Sequence, residues 1–232
     1  MSKMKCLDEG KARELTLKTE HAETTNNMSA LRGYLLGDFF FSHEYQGQQF
    51  YKTKISVERN SGTKDIIPVI VSESIFKTLS NNLKGKYVEV TGQMYSHDIV
   101  VSHVVEGVKH HLCIFFLAES ITEKPVEDEN SNNRIYLRGK LCDKVFLREL
   151  KNGMKVLDFF IAVPKQEGGR NHIPCVAWRG RACFINTLNP GTYIEITGRI
   201  QSRKYSKRNP LNPEEIKLKT VYEVAVSKVQ LI

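Results

Sequence analysis

The sequence predicts an all-β protein built from two copies of one small barrel, and three observations carry that prediction. A block of residues recurs at a fixed offset. Each copy is broken into runs rich in Val, Ile, Tyr and Phe by intervening Gly, Asn or Pro. Each copy is also about 100 residues long, enough for one domain with its own core.

The offset is 106 residues: Leu31-Arg32-Gly33 returns as Leu137-Arg138-Gly139, Ile67-Pro68 as Ile173-Pro174, and GKYVEVTG (85–92) as GTYIEITG (191–198). Over the 62 ungapped positions from Leu31 to Gly92, 16 are identical, against roughly 4 expected by chance. So long a period excludes a solenoid unit. The domains are read as a polar tail at 1–27, a first copy at 28–121, an acidic Pro-containing linker at 122–132 and a second copy at 133–232.

In the second copy the strands are RIYLRGKL, VLDFFIAV, IPCVAW, TYIEITGRIQSRKY and VYEVAVSKVQLI. RACFINTLNPG, between the third and fourth, reads as a helix of about two turns stopped by Asn189-Pro190-Gly191. SKRNPLNP (206–213) reads as a long basic hairpin loop, and Pro174 as the site of a bulge or an unpaired position. Five short strands with one helix between strands 3 and 4 is the order of an OB-fold, so the predicted architecture is two tandem OB-fold barrels.

Composition excludes other classes. With 41% hydrophobic and 26% charged residues the 232-residue chain is an ordinary globular one. Its five cysteines are scattered and form no C-x-x-C pair, so neither a disulfide framework nor a zinc site is expected, and the setting is read as reducing and cytoplasmic. The longest apolar run, Leu112 to Ala118, is too short to span a bilayer. No phosphate loop, nucleophile elbow or H-E-x-x-H motif is present, so an enzyme is not expected, nor a cofactor. His110-His111-x-Cys113 is not read as a metal site, because adjacent strand residues point to opposite faces.

The net charge of +8 is unevenly placed. Lys and Arg minus Asp and Glu comes to 0 over residues 1–27, 0 over 28–121, −3 over 122–132 and +11 over 133–232. A basic second copy beside a neutral first one points to a polyanion bound by the second.

Strand alternation locates that surface. In HIPCVAW (172–178), Ile173, Cys175 and Ala177 are expected inside, while His172, Pro174, Val176 and Trp178 face out beside Arg179-Gly180-Arg181. In GRIQSRKY (198–205), Arg199, Gln201, Arg203 and Tyr205 share the outer face. Rings interleaved with cations suit unpaired nucleic acid, whose bases stack while its phosphates are held electrostatically. The candidate site is therefore Trp178, Tyr205, Arg203, Lys204, Arg179, Arg181, Arg199 and His172, with Arg138, Lys207 and Arg208 at its margins.

These residues resemble the bacterial single-stranded DNA-binding proteins in their tandem OB-fold form. The resemblance rests on NRIYLRGKL (133–141), on the strand followed by a short helix, and on GTYIEITGRIQSRKY (191–205), and it covers about 100 residues. It implies stacking of bases on Trp178 and Tyr205, and a role in replication, recombination, repair or mobile-element transfer. It also implies four OB-folds per functional unit, hence a homodimer. The loop at 164–172 is short for the family, and one stacking position is absent with it. The sequence ends at VQLI (229–232) without the family's acidic tail, so a hub role is not expected.

In the first copy Trp178 becomes Ser72, Arg179 becomes Glu73, His172 becomes Ile66, and only Tyr95 keeps a ring in the second stripe. That copy is expected to be degenerate, serving structure or an interface through Ile66, Pro68 and Ile70. Its FFFSHEY run (39–45) is read as core, with weak strand binding as the alternative. An assembly protein acting through protein contacts, or an RNA binder, is the competing reading, since only 2′-OH contacts separate RNA from DNA.

Overall fold

A computed structural model describes residues 26–80, 82–103, 107–126, 133–209 and 212–232, with the side chains of 99–103, 107–111, 144, 145, 207–209 and 212–217 left outside. Most of the predicted tail and residues 127–132 of the predicted linker lie outside the described residues, as do the side chains of His110 and His111.

The first copy contains β1 (Asn27–Leu35), β2 (Phe40–Tyr45), β3 (Gln48–Glu58), β4 (Lys64–Ser72), α1 (Glu73–Thr78), β5 (Tyr87–His103) and β6 (Gly107–Glu123). The second contains β7 (Asn133–Glu149), β8 (Lys155–Pro164), β9 (Arg170–Trp178), α2 (Gly180–Asn186), β10 (Tyr193–Asn209) and β11 (Asn212–Leu231). The two copies match, because β1 and β2 together occupy the place of β7. The second copy takes the same bend through a register shift between Leu141 and Val145. Each is a five-stranded OB-fold with its helix between strands 3 and 4.

The last two strands of each copy are not short. β5 and β6 run 17 residues each, and β10 and β11 run 17 and 20, so each pair forms a long hairpin arm. The predicted loop at 206–213 is instead strand as far as Asn209 and again from Asn212. The expected bulge at Pro174 is also absent. β8 and β9 pair without a register shift, Phe160 opposite Pro174, and the parallel pairing of β9 with β11 begins at Cys175.

The repeated glycines have a steric cause. A Cβ on Gly33 would stand 2.1 Å from the Ser56 carbonyl oxygen, and one on Gly139 would stand 2.4 Å from that of Ala162. Inside each barrel the strands present alternate aliphatic side chains: Leu31, Ile55, Ile67, Val90 and Phe116 in the first copy, and Leu137, Phe159, Ile173, Ile196 and Val224 in the second.

The copies join along β1 and β7, which pair antiparallel about Ser29 and Ile135, with Asn27 opposite Leu137 and Leu31 opposite Asn133. Because 27 and 133, and 31 and 137, are each 106 apart, this pairing is a pseudo-twofold. Equivalent asparagines close the strand ends alike. Asn27 exchanges two hydrogen bonds with the Met94 backbone at 2.7 and 3.0 Å, and Asn133 does the same with Ile200 at 2.7 and 2.9 Å.

Candidate nucleic-acid interface

Register lays out the outer face of the second copy, since directly paired residues share a face. One row reads Phe146, Asp158, Val176, Ala225, Arg199. The next reads Arg148, Val156, Trp178. Ile173, Cys175 and Ala177 are buried in the barrel as alternation requires. The opposite stripe is less open than expected: His172 is exposed, Pro174 and Trp178 are half-buried, and Val176 is only 2% exposed. Val176 is central in the sheet, flanked by β8 on one side and β11 on the other.

Trp178 stands where β9 turns into α2. The next residue, Arg179, has φ +56°, ψ −130°, a region costly for any side chain but glycine. Its backbone is held at both ends, the N–H donating to the Lys155 carbonyl at 2.8 Å and the carbonyl accepting from the Cys183 N–H at 3.1 Å. The turn leaves the Arg179 and Arg181 side chains exposed beside the indole. Lys155, Met154 and Asn152 join Arg179 around a shallow cavity of about 380 Å³.

The second predicted stripe is partly spent. Gln201 is buried and donates to Glu223 at 2.9 Å, while Arg203 lies 3.6 Å from the same carboxylate. Arg199 is half-buried, and burial followed by the neighbouring Arg59 pushes its guanidinium pKa below the usual value. Lys204 is exposed and Tyr205 half-buried. Lys207 and Arg208 lie on β10, with side chains outside the described residues. Arg138 is not part of this face's cluster. It sits opposite Glu195 on β7, and its N–H donates to the Asn26 carbonyl of the first copy at 2.8 Å.

Trp178 and Tyr205 are the two ends of a track. From the row that holds Val176 and Arg199, Trp178 lies two residues one way and Tyr205 six residues the other. Eight residues of strand span roughly 26 Å. The face also carries groups that sequence reasoning passed over: Phe146, Arg148 and Phe160. The signal for Phe146 was present, since it is identical to Phe40 at the 106-residue offset.

In the first copy the equivalent positions do other work. The Ser72 hydroxyl accepts from the Ile75 N–H at 3.4 Å and caps α1, with Glu73 opening the helix. Tyr95 is covered by the second copy, with Lys165 Nζ 4.0 Å from its ring centroid and Glu167 accepting from its hydroxyl. The loop between β8 and β9 thus contacts the first copy through Lys165 and Glu167. FFFSHEY is not core beyond its first ring. Phe39 packs against the core, whereas Phe40 and Phe41 are exposed because β2 is the edge strand of the sheet.

Comparison with known proteins matches residues 132–232 to the single-strand binding protein family. The match covers the whole of the second copy. Among relatives, the single-stranded DNA-binding protein of Oceanobacillus iheyensis is 35% identical over 109 residues, 43% of this chain and 63% of that protein. Single-stranded DNA-binding protein A of Bacillus subtilis is 36% identical over 83 residues, 33% of this chain and 48% of its own length. The chain thus spans about half to under two thirds of the relatives it matches. Its fold is similar to that of the wild-type single-stranded DNA-binding protein from Thermus aquaticus, with a TM-score of 0.64 at 17% identity, covering 89% of this chain and 92% of that one. Among the described residues no helix is long and apolar enough to cross a membrane.

Proposed function

We propose that the chain binds single-stranded DNA, largely without sequence preference, through the outer face of its second copy, and that it acts by binding rather than catalysis. The observation that carries this reading is the placement of the half-buried Trp178 indole, with Arg148 in its own row and Arg179 next in the chain. Bases stack on the ring while the guanidinium groups hold phosphates. Tyr205 and Arg203 extend the track, Lys204 lies between them in the chain, and Lys207 and Arg208 follow on β10. The names of the relatives point the same way.

In this reading the first copy mainly braces the second, its stripe given over to helix capping and inter-copy contacts. A homodimer of the chain, four barrels in all, is the working assembly, in a cytoplasmic setting and in replication, recombination or repair of DNA. Chain mass in solution tests the dimer.

The sole indole supplies the direct test. Titration with oligo(dT) is expected to quench Trp178 emission, with an affinity that falls steeply as salt rises. Tight binding with unchanged emission removes Trp178 from the site. Equal or tighter binding of oligo(U) assigns the face to RNA instead.

A further inference from the structure

We propose that Phe40 and Phe146 are a second pair of base-stacking positions, one on each copy, so that a strand bound across Trp178 continues past Phe146 and onto the first copy. This rests on the proposed function and extends its site to residues outside the stripe predicted from the sequence.

The repeat itself is the first argument. Phe40 and Phe146 are 106 residues apart and identical, yet they are 63% and 61% exposed. Most of the other apolar identities of the repeat, such as Leu31 with Leu137 or Ile55 with Ile161, are explained by burial in the barrel. This one is not. A ring kept at one surface position in two diverged copies, where packing does not require it, has another use.

The second argument is location. Phe146 heads the row Asp158, Val176, Ala225, Arg199, and Phe40 heads the matching row Lys52, Ile70, Leu117, Gln93. Both rings therefore lie on the outer face of their barrel. Phe146 is two strands and one row from Trp178, roughly 12 Å, a separation that one strand bridges with a nucleotide or two between the rings.

On the first copy the same face carries more of the same chemistry. A register shift between Phe41 and His43 brings the His43 ring onto this face, stacked on Phe50 with centroids 4.9 Å apart and planes 7° from parallel. Tyr45 follows, exposed, while Lys52 in the row of Phe40 and Lys54 two residues beyond it are exposed cations. Rings flanked by lysines, rather than one continuous apolar patch, fit a stacked and charged strand better than a protein partner.

Phe146→Ala, Phe40→Ala and the double variant test this in the full chain, with oligo(dT) of increasing length and Trp178 emission as the readout. Phe146→Ala is expected to weaken binding about 5- to 150-fold, the range of one lost stacking contact. Phe40→Ala should leave the shortest oligonucleotides unaffected and weaken the longer ones. Phe→Leu at each site keeps the apolar bulk and is expected to lose nearly as much affinity. Photocrosslinking with 5-iodouracil oligonucleotides should map to both rings. If the unchanged protein fails to bind oligo(dT), the proposed function falls first. If it binds and quenches normally while both Phe variants match it at every length, this inference is overturned. It is overturned equally if the variants change the oligomeric state and leave affinity intact.

Discussion

Asp65 accepts two hydrogen bonds from Ser202, one from its backbone N–H at 2.7 Å and one from its hydroxyl at 2.8 Å, although the residues are 137 apart in the chain. Arg59 clamps the same carboxylate with two donors at 2.6 Å and reaches the Ser202 carbonyl at 3.0 Å. On the other side of the pseudo-twofold, Asn171 accepts from the Ser96 N–H at 2.9 Å, and Lys165 reaches the Ser96 carbonyl at 3.3 Å. Positions 59 and 165, 65 and 171, and 96 and 202 are all 106 apart. Each hairpin arm is thus held by the opposite barrel through equivalent residues.

Asp65→Ala is expected to destabilise the chain by about 2–4 kcal/mol, since it leaves the Arg59 guanidinium and the Ser202 donors without their acceptor. Asp65→Asn should cost far less, because Asn171 shows that an amide oxygen suits this geometry. Burial alone raises the Asp65 pKa, but the bonds from Arg59 and Ser202 outweigh it and hold the carboxyl below its usual range. Its contribution is therefore present above about pH 4 and lost as the pH falls through the depressed value. Denaturant melts between pH 5 and pH 2 should show a steeper acid loss for the unchanged protein than for Asp65→Asn.

Trp178→Ala is expected to reduce oligo(dT) affinity by about 1–3 kcal/mol and Trp178→Phe by less, because a smaller ring still stacks. Filter binding at fixed salt measures both, and unchanged affinity for the folded Ala variant would refute the site.

Arg179→Gly separates stability from binding. Glycine removes the cost of φ +56°, so the melting temperature should rise, by the equivalent of about 1 kcal/mol. Loss of the guanidinium should lower affinity and flatten its salt dependence. Arg179→Ala keeps the backbone cost and should show only the binding defect.

Gly139→Ala is expected to destabilise by about 1–3 kcal/mol or more, since the new methyl would collide with the Ala162 carbonyl. Gly180→Ala, where nothing lies within 4 Å, is the control and should melt unchanged.

The duplicated barrel was legible because its causes are local. Glycines forced by close backbone approach, aliphatic alternation and a helix stop at Asn189-Pro190-Gly191 all leave short-range patterns. Part of the candidate face was legible for the same reason: alternation separated Ile173, Cys175 and Ala177 from Trp178. It could not report that Val176 is buried, that Gln201 turns to Glu223, or that Arg138 belongs to the joint between copies. Alternation assigns a side chain to a face and says nothing of what covers that face.

The same limit explains FFFSHEY. Three consecutive phenylalanines read as core by hydrophobicity, yet β2 is the edge strand of the sheet and two of the rings are exposed. Edge or centre is a property of strand order, which no local pattern carries.

By itself, then, the sequence determined two OB-folds at a 106-residue offset, a neutral copy beside a basic one, and a lone indole at the end of a strand. The tertiary structure alone decided which outward residues are free to meet a ligand. Bonds such as Asp65 to Ser202 and Lys165 over Tyr95 join groups 137 and 70 residues apart. Those contacts exist only once two closed barrels have met along β1 and β7, and that meeting covers Tyr95 of one copy while Arg179 and Arg181 of the other stay exposed beside Trp178.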